Sequence, residues 1–370
     1  MSDPDLVPAA APLPALEPAA EQPDAGVYSI GDRGMAADVE GLPALVAGGQ
    51  PDALVDAGAV GDLVVRLASV RGAGHRYDAT VRQDDAGVAV AGPDGSWLVV
   101  AVADGVSAGR LSHLAARAVV RGAAPPRRPP RCRRDPAELD WDEIIGTLAA
   151  QVLLLARRES GDEALEARDA ARVMASTVAL AVVPTAAEAG GARTATVVPV
   201  GDTSAWVLRA GTTWEPVTAV KNAGEAVASS ATIALPLLPT EVATAAVVLG
   251  PGDALLFMTE GVGDPLGDGT GEVAATLAAW WAAPPSRWAF AAQVDFGRRS
   301  HTDDRSAVGV WLPPVHRGSP ATGDGTGAAV DAPAPPGAPA GADPAGGDGA
   351  APGGGSAARA VTGDGPEPAR

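Results

Sequence analysis

The sequence predicts an α+β fold in which antiparallel sheets are layered with helices outside them. Three observations carry that expectation. Apolar runs with strand character come in groups and helical segments come in pairs, which is not the regular β-α-β alternation of a parallel sheet. Several apolar runs stop at a carboxylate beside a glycine, as buried strands do when they end in tight turns. Both ends of the 370-residue chain are compositionally biased, which confines the packed part to the middle.

Residues 1–27 are rich in Ala, Pro, Asp and Glu and read as disordered. Residues 28–62 show no clear pattern, so 1–62 is expected to be a largely disordered N-terminal extension. One domain, 63–315, follows. The run L-V-V-R-L-A-S-V (63–70) reads as its first strand, and residues 87–103 as a hairpin turning at Asp94-Gly95. A helix is expected over 108–121, where Leu111, Leu114, Ala115 and Ala118 recur at helical spacing. A basic, proline-broken loop (124–136) precedes helical segments at 137–158, started by Asp135-Pro136, and at 162–171. Strands at 176–183 and 195–200 lead into a hairpin turning at Ala210-Gly211. An irregular segment, 219–250, precedes a strand at 254–259. Two helices, 272–283 and 285–296, come before the last strand, 306–312. From 316 the chain is nearly all Ala, Gly, Pro, Asp and Thr, with Val330 and Val361 its only large aliphatic residues, so it cannot offset its ordering entropy.

Composition narrows the function classes. The hydrophobic fraction of 46% supports a sizeable core, while aromatics make up only 4%, with eight Trp as local anchors. A net charge of −18 argues against nucleic-acid binding, which needs basic surfaces to neutralise phosphates, and disfavours anionic membranes. The single cysteine, Cys132, rules out an internal disulfide and a thiolate zinc site. His75, His113, His301 and His316 have no paired spacing. No stretch is apolar enough to span a membrane and the N-terminus lacks the pattern of a signal peptide, so a cytoplasmic monomer is expected.

Five acidic motifs remain: R-Q-D-D (Asp84, Asp85), V-A-V-A-D-G-V (Asp104, Gly105), V-V-P-V-G-D-T-S (Gly201, Asp202), L-L-F-M-T-E-G-V (Glu260, Gly261) and T-D-D-R-S (Asp303, Asp304). Each has a plain structural reading as a turn, a helix cap or a solvated strand end. Carboxylates gathered from distant segments repel unless a cation sits among them, and oxygen-rich sites suit Mg²⁺ or Mn²⁺. His75 reads either as a general acid or as a hydrogen-bonded structural histidine. Arg71, Arg76 and Arg82 crowd the same segment, where any of them is either a phosphate ligand or a surface arginine.

In this order and spacing the motifs resemble the metal-dependent protein phosphatase 2C family, bacterial type, over roughly 65–312. The matching segments are V-R-G-A-G-H-R, R-Q-D-D, V-A-D-G-V, S-T-V-A-L, V-G-D-T-S-A-W, M-T-E-G-V and T-D-D-R-S-A-V. The resemblance implies a four-layer α-β-β-α sandwich of two antiparallel sheets flanked by helix pairs. It implies a bimetal centre of two Mg²⁺ or Mn²⁺ ions that activates water to hydrolyse phosphoserine and phosphothreonine in a protein substrate. Carried over by motif, Asp104 bridges the metals and Gly105 lends its carbonyl. Glu260 and Asp303 supply carboxylates, and Asp84 or Asp85 holds water. Three departures stand out. The family's Thr-Asp-Gly aspartate is Glu260, whose extra methylene moves the carboxylate by roughly an ångström. Thr80 stands where the family often has a phosphate-gripping arginine, leaving Arg71, Arg76 or Arg82 to substitute. Val106 follows Asp-Gly where many eukaryotic members have histidine.

Overall fold

The computed structural model describes residues 28–32, 50–124, 136–188, 190–218 and 233–314. The expected tail from 316, the first 27 residues, and the basic run with Cys132 lie outside the described residues. In chain order the elements are β1 (Ala53–Val60), β2 (Leu63–Val70), α1 (Ala73–Tyr77), β3 (Asp85–Ala91), β4 (Trp97–Gly105), α2 (Ser112–Ala123) and α3 (Trp141–Ser160). There follow α4 (Ala167–Ala170), β5 (Ser176–Pro184), β6 (Arg193–Val200), β7 (Ser204–Arg209), β8 (Thr213–Pro216), β9 (Ala245–Leu249) and β10 (Ala254–Met258). The last four are α5 (Glu260–Leu266), α6 (Glu272–Trp281), α7 (Arg287–Val294) and β11 (Arg305–Trp311).

The strands form two sheets with every neighbouring pair antiparallel. One has the order β1-β2-β11-β10-β7-β8 and the other β3-β4-β5-β6-β9. The two-residue period of a strand sorts β10 cleanly. Leu255 and Phe257 join Leu67, Val100, Val102, Ala181 and Val308 between the sheets, while Leu256 and Met258 face the helices. Strands buried on both faces are continuous apolar runs, which is how β5, β10 and β11 read in the sequence. Burying each such Leu, Val or Phe contributes about 1.5–3 kcal/mol.

Helices close both outer faces. Val119, Ile145, Leu148 and Val152 of α2 and α3 cover Ala101, Leu180 and Val198. On the other side Val262, Leu277, Trp281, Phe290 and Val294 cover Trp206, Leu256 and Trp311. The tryptophans are anchors here: Trp206, Trp214, Trp281, Phe290 and Trp311 form a chain of ring contacts with centroids 5.3–6.3 Å apart. The four layers are those of an α-β-β-α sandwich.

Four expectations are corrected. The 1–62 extension is cut short, because β1 pairs with β2 from Ala53, and Ile30 is buried with Ser29 bridged to Gly297. β1 is a mostly exposed edge strand, so it lacks the alternation that marks a half-buried one. Strand β9 lies inside the segment expected to be irregular. Helix α3 starts at Trp141 rather than after Asp135-Pro136, because the Asp140 side chain accepts from the Glu143 amide at 2.9 Å. The helix expected over 162–171 is the single turn α4.

Candidate metal centre

One end of the sandwich collects the C-terminal ends of β2, β4 and β10 and the N-terminal ends of β3, β5 and β11. The antiparallel registers require it: Arg305 pairs with Val70, Met258 with Ala307, Asp85 with Ala103 and Gly105 with Ser176. Asp84, Asp104, Glu260, Asp303 and Asp304 therefore arrive together from four separated stretches of sequence.

Asp104 is the centre of this group. Burial holds its carboxyl well above the usual carboxylate range, and the charges of Asp84, Asp303, Glu260 and Asp202 push it further in the same direction. Its Oδ2 accepts from the Glu260 amide at 3.3 Å, at the start of α5. Asp84 is 2% exposed. Its carboxyl is pushed up to about 8 by burial and by Asp304, against the hydrogen bonds that favour its charge. Those bonds reach Oδ2 from Thr259 Oγ1 at 2.7 Å and Ser306 Oγ at 2.8 Å. Thr259 Oγ1 also accepts from the Ser306 amide at 3.0 Å, so one threonine ties β3, β10 and β11 together.

Asp304 plays a different part from Asp303. It is buried, and both of its oxygens are spent on protein donors. Oδ1 accepts from the Gly72 amide at 2.7 Å and lies 2.8 Å from His75 Nδ1, while Oδ2 accepts from the Gln83 amide. Burial works to lower the His75 pKa, but Asp304, Asp303 and Asp84 outweigh it and raise it. His75, Asp303 and Asp304 place ligand-type atoms within 4.8 Å of one another. With Asp304 and His75 engaged with each other, this trio is a staple that presents Asp303, whose side chain is 43% exposed. Backbone approaches are so close that only glycine fits at two positions. A Cβ on Gly72 would lie 2.2 Å from the Asp303 carbonyl, and one on Gly261 would lie 2.0 Å from the Asp304 oxygen.

Not every predicted residue joins the group. Asp85 projects toward α2. Burial raises its carboxyl, Arg82, Arg117 and Arg121 pull it down, and its Oδ1 accepts from the Ala86 amide at 3.0 Å. The register left open in R-Q-D-D thus places Asp84 among the acids and Asp85 behind them. Arg71, Arg76 and Arg82, the candidates for phosphate, each have partners within the protein. Arg71 binds Asp52 at 2.8 Å and Arg76 meets Asp295 at 3.4 Å. Arg82, 1% exposed, donates to Gln50 Oε1, the Pro51 and Asp84 carbonyls and Ser69 Oγ. Thr259, Ser306 and Ser69 were not singled out from sequence. Their one signal is a hydroxyl placed at the end of an otherwise apolar run.

Whether a divalent cation suits this site is decided by the donor set. The donors are carboxylate oxygens, and each charged group that leads the influences on Asp104 is itself negative. That arrangement fits a hard cation such as Mg²⁺ or Mn²⁺, with Asp104, Glu260 and Asp303 as first candidates and the Gly105 carbonyl beside them.

The fold and this end of the sheets define a class: a double antiparallel sheet flanked by helices, with an acidic cluster where the strands end. The family model for protein phosphatase 2C matches residues 71–293, and the chain belongs to that family. Similar solved structures include PppA of Pseudomonas aeruginosa, at 21% identity over 68% of this chain and 98% of that one, with a TM-score of 0.45. The serine/threonine phosphatase PstP/Ppp of Mycobacterium tuberculosis matches at 18% identity over 70% and 100%, with a TM-score of 0.39. RsbX, solved in complex with magnesium, matches at 13% over 70% and 100%, with a TM-score of 0.44. No curated protein matches. Among the described residues no helix is long and apolar enough to cross a membrane.

Proposed function

We propose that this chain is a Mg²⁺- or Mn²⁺-dependent phosphatase acting on phosphoserine and phosphothreonine in proteins. The observation that carries this reading is Asp104, a half-buried carboxylate whose leading charged neighbours are four further carboxylates. Repulsion of that kind is costly in a fold that has no use for a cation, and family membership supplies the use. Asp104, Glu260 and Asp303 would hold the cations, with the Gly105 carbonyl alongside. When bound, the ions would act as Lewis acids on phosphoryl oxygens and offset the negative charge of site and substrate. Asp84, locked by Thr259 and Ser306, keeps β3, β10 and β11 in register around them. Asp304 and His75 hold the turn that presents Asp303.

A second reading, a phosphoprotein-binding member without turnover, is favoured by one observation: Arg71, Arg76 and Arg82 are all engaged within the protein. Hydrolysis of para-nitrophenyl phosphate and a phosphothreonine peptide, with Mn²⁺, Mg²⁺ or chelator, separates the two. Metal-dependent release is expected, reduced on the order of a thousandfold in Asp104→Ala. A folded wild type that releases no phosphate with either metal would overturn the first reading and move the weight to the second.

A further inference from the structure

Acidic groups outnumber lysine and arginine here by 45 to 27. Arg71, Arg76, Arg193 and Arg209 pair with Asp52, Asp295, Asp62 and Glu215 respectively. Arg110, Arg117 and Arg121 make no hydrogen bond or salt bridge among the described residues, and only Arg117 and Arg121 have an acid, Asp85, near enough to feel their charge. His113, Arg117 and Arg121 stand on one face of α2 at successive four-residue steps, and Arg110 lies in the turn just before the helix. Arg110 and Arg121 are exposed and Arg117 is half-buried.

Two further features give this strip a direction and a floor. Its near end adjoins the acidic cluster, since a Cβ on Gly105 would lie 3.0 Å from the Ser112 backbone. From Ser112 to Arg121 the helix runs about 14 Å. Beside its far end lies a groove between α2 and β3, lined by Gly87, Val88, Ala89, Val120 and Arg121. β3 is the edge strand of its sheet, so an extended chain can lie along it.

We propose that the arginine strip of α2 docks an acidic segment of the phosphorylated substrate, beside the groove and leading into the carboxylate cluster. This rests on the phosphatase reading above. A molecule of charge −18 whose site is itself acidic repels an acidic phosphoprotein, and a local cationic approach reverses that field where the substrate must enter. The length of the strip puts the docked acids roughly four to seven residues of extended chain from the phosphoresidue.

The test uses the full chain and two labelled phosphothreonine peptides. One carries glutamates four to seven positions from the phosphothreonine on both sides, the other glutamines. Fluorescence anisotropy should show tighter binding of the glutamate peptide. Arg110→Glu/Arg121→Glu should weaken that binding about tenfold or more and leave the glutamine peptide and para-nitrophenyl phosphate turnover unchanged. Arg121→Gln, expected to weaken it by a smaller factor, serves if the double variant does not fold. Equal affinity for the two peptides, or no change in either variant, overturns the proposal. The two readings fail separately. Hydrolysis of para-nitrophenyl phosphate without charge-selective binding removes the strip and keeps the phosphatase. Charge-selective binding lost in the variants, with no hydrolysis, removes the phosphatase and keeps an acidic partner on the strip.

Discussion

Strand β10 has a carboxylate beside a glycine-containing turn at each end, and the two ends differ in who meets the charge. At the start, Asp253 accepts from the Ala210 amide at 3.0 Å, the Gly250 amide at 2.8 Å and Arg209 Nη1 at 2.8 Å. Every lone pair it needs filled is filled by this chain. At the other end Glu260 and Thr259 open onto Asp84, Asp104 and Asp303, and the leading charges around Asp104 are negative. The local sequence pattern is alike, a carboxylate bordering the same five apolar residues. The partner decides whether it is a brace or a binding site.

That comparison breaks first at Asp304, a member of the acidic end whose two oxygens are both held by backbone amides. Asp304→Ala strands two buried amides, Gly72 and Gln83, and releases His75. Urea unfolding should show a loss of about 3 kcal/mol, and hydrolysis should be lost with it. A variant with wild-type stability would show that the staple is not holding the turn. Asp253→Ala, at the other end of β10, should cost on the order of 2 kcal/mol by leaving two amides without their acceptor and removing one of the two acids that hold Arg209. Its turnover should match wild type, and a fall in kcat would show that the two ends are coupled.

The pH dependence of stability sharpens the contrast. In the folded chain Asp84 keeps its proton up to about 8, whereas an unfolded aspartate loses it near about 4. The folded state then binds more protons across that window, so with chelator present stability falls as pH rises from about 4 to about 8. Asp84→Asn should flatten the slope, and an unchanged slope would remove Asp84 as its source. The smallest effect is expected of Glu260→Asp, which restores the family's aspartate. Half-saturation by Mn²⁺ should move by no more than about tenfold, and a complete loss of turnover would mean that the longer side chain is required here.

The parts of this molecule that could be read from sequence are those whose partners are local or whose burial is total. β10, expected at 254–259, is Ala254–Met258, because burial on both faces leaves an unbroken apolar run. The Asp94-Gly95 and Ala210-Gly211 turns hold because their backbones adopt positive φ, which those pairs tolerate. α5 was hidden because E-G-V-G-D-P-L carries two glycines and a proline, and it is held as a helix by Val262 and Leu266 against the sheet rather than by propensity. The carboxylates could be found, since each borders an apolar run. Their phase could not, because a strand's alternation does not say where it begins: Thr259 and Ser306, far along the chain, select Asp84 over Asp85. The partners of the arginines were hidden for the same reason. Gln50, which takes Arg82, and Asp295, which takes Arg76, stand 32 and 219 residues away.

The Asp304 staple has a consequence for synthesis as well as for geometry. It bonds Gly72 and Gln83 across separations of 232 and 221 residues. A growing chain has the first two acidic segments early, but the turn that orders them against each other comes almost last. Until β11 has left the ribosome, β2 and β10 lack the strand that lies between them, and the sheet that frames the site cannot close. A nascent or truncated chain ending before 303 is expected to be a trapped, open form without a working centre, however much of the helical layer has already packed.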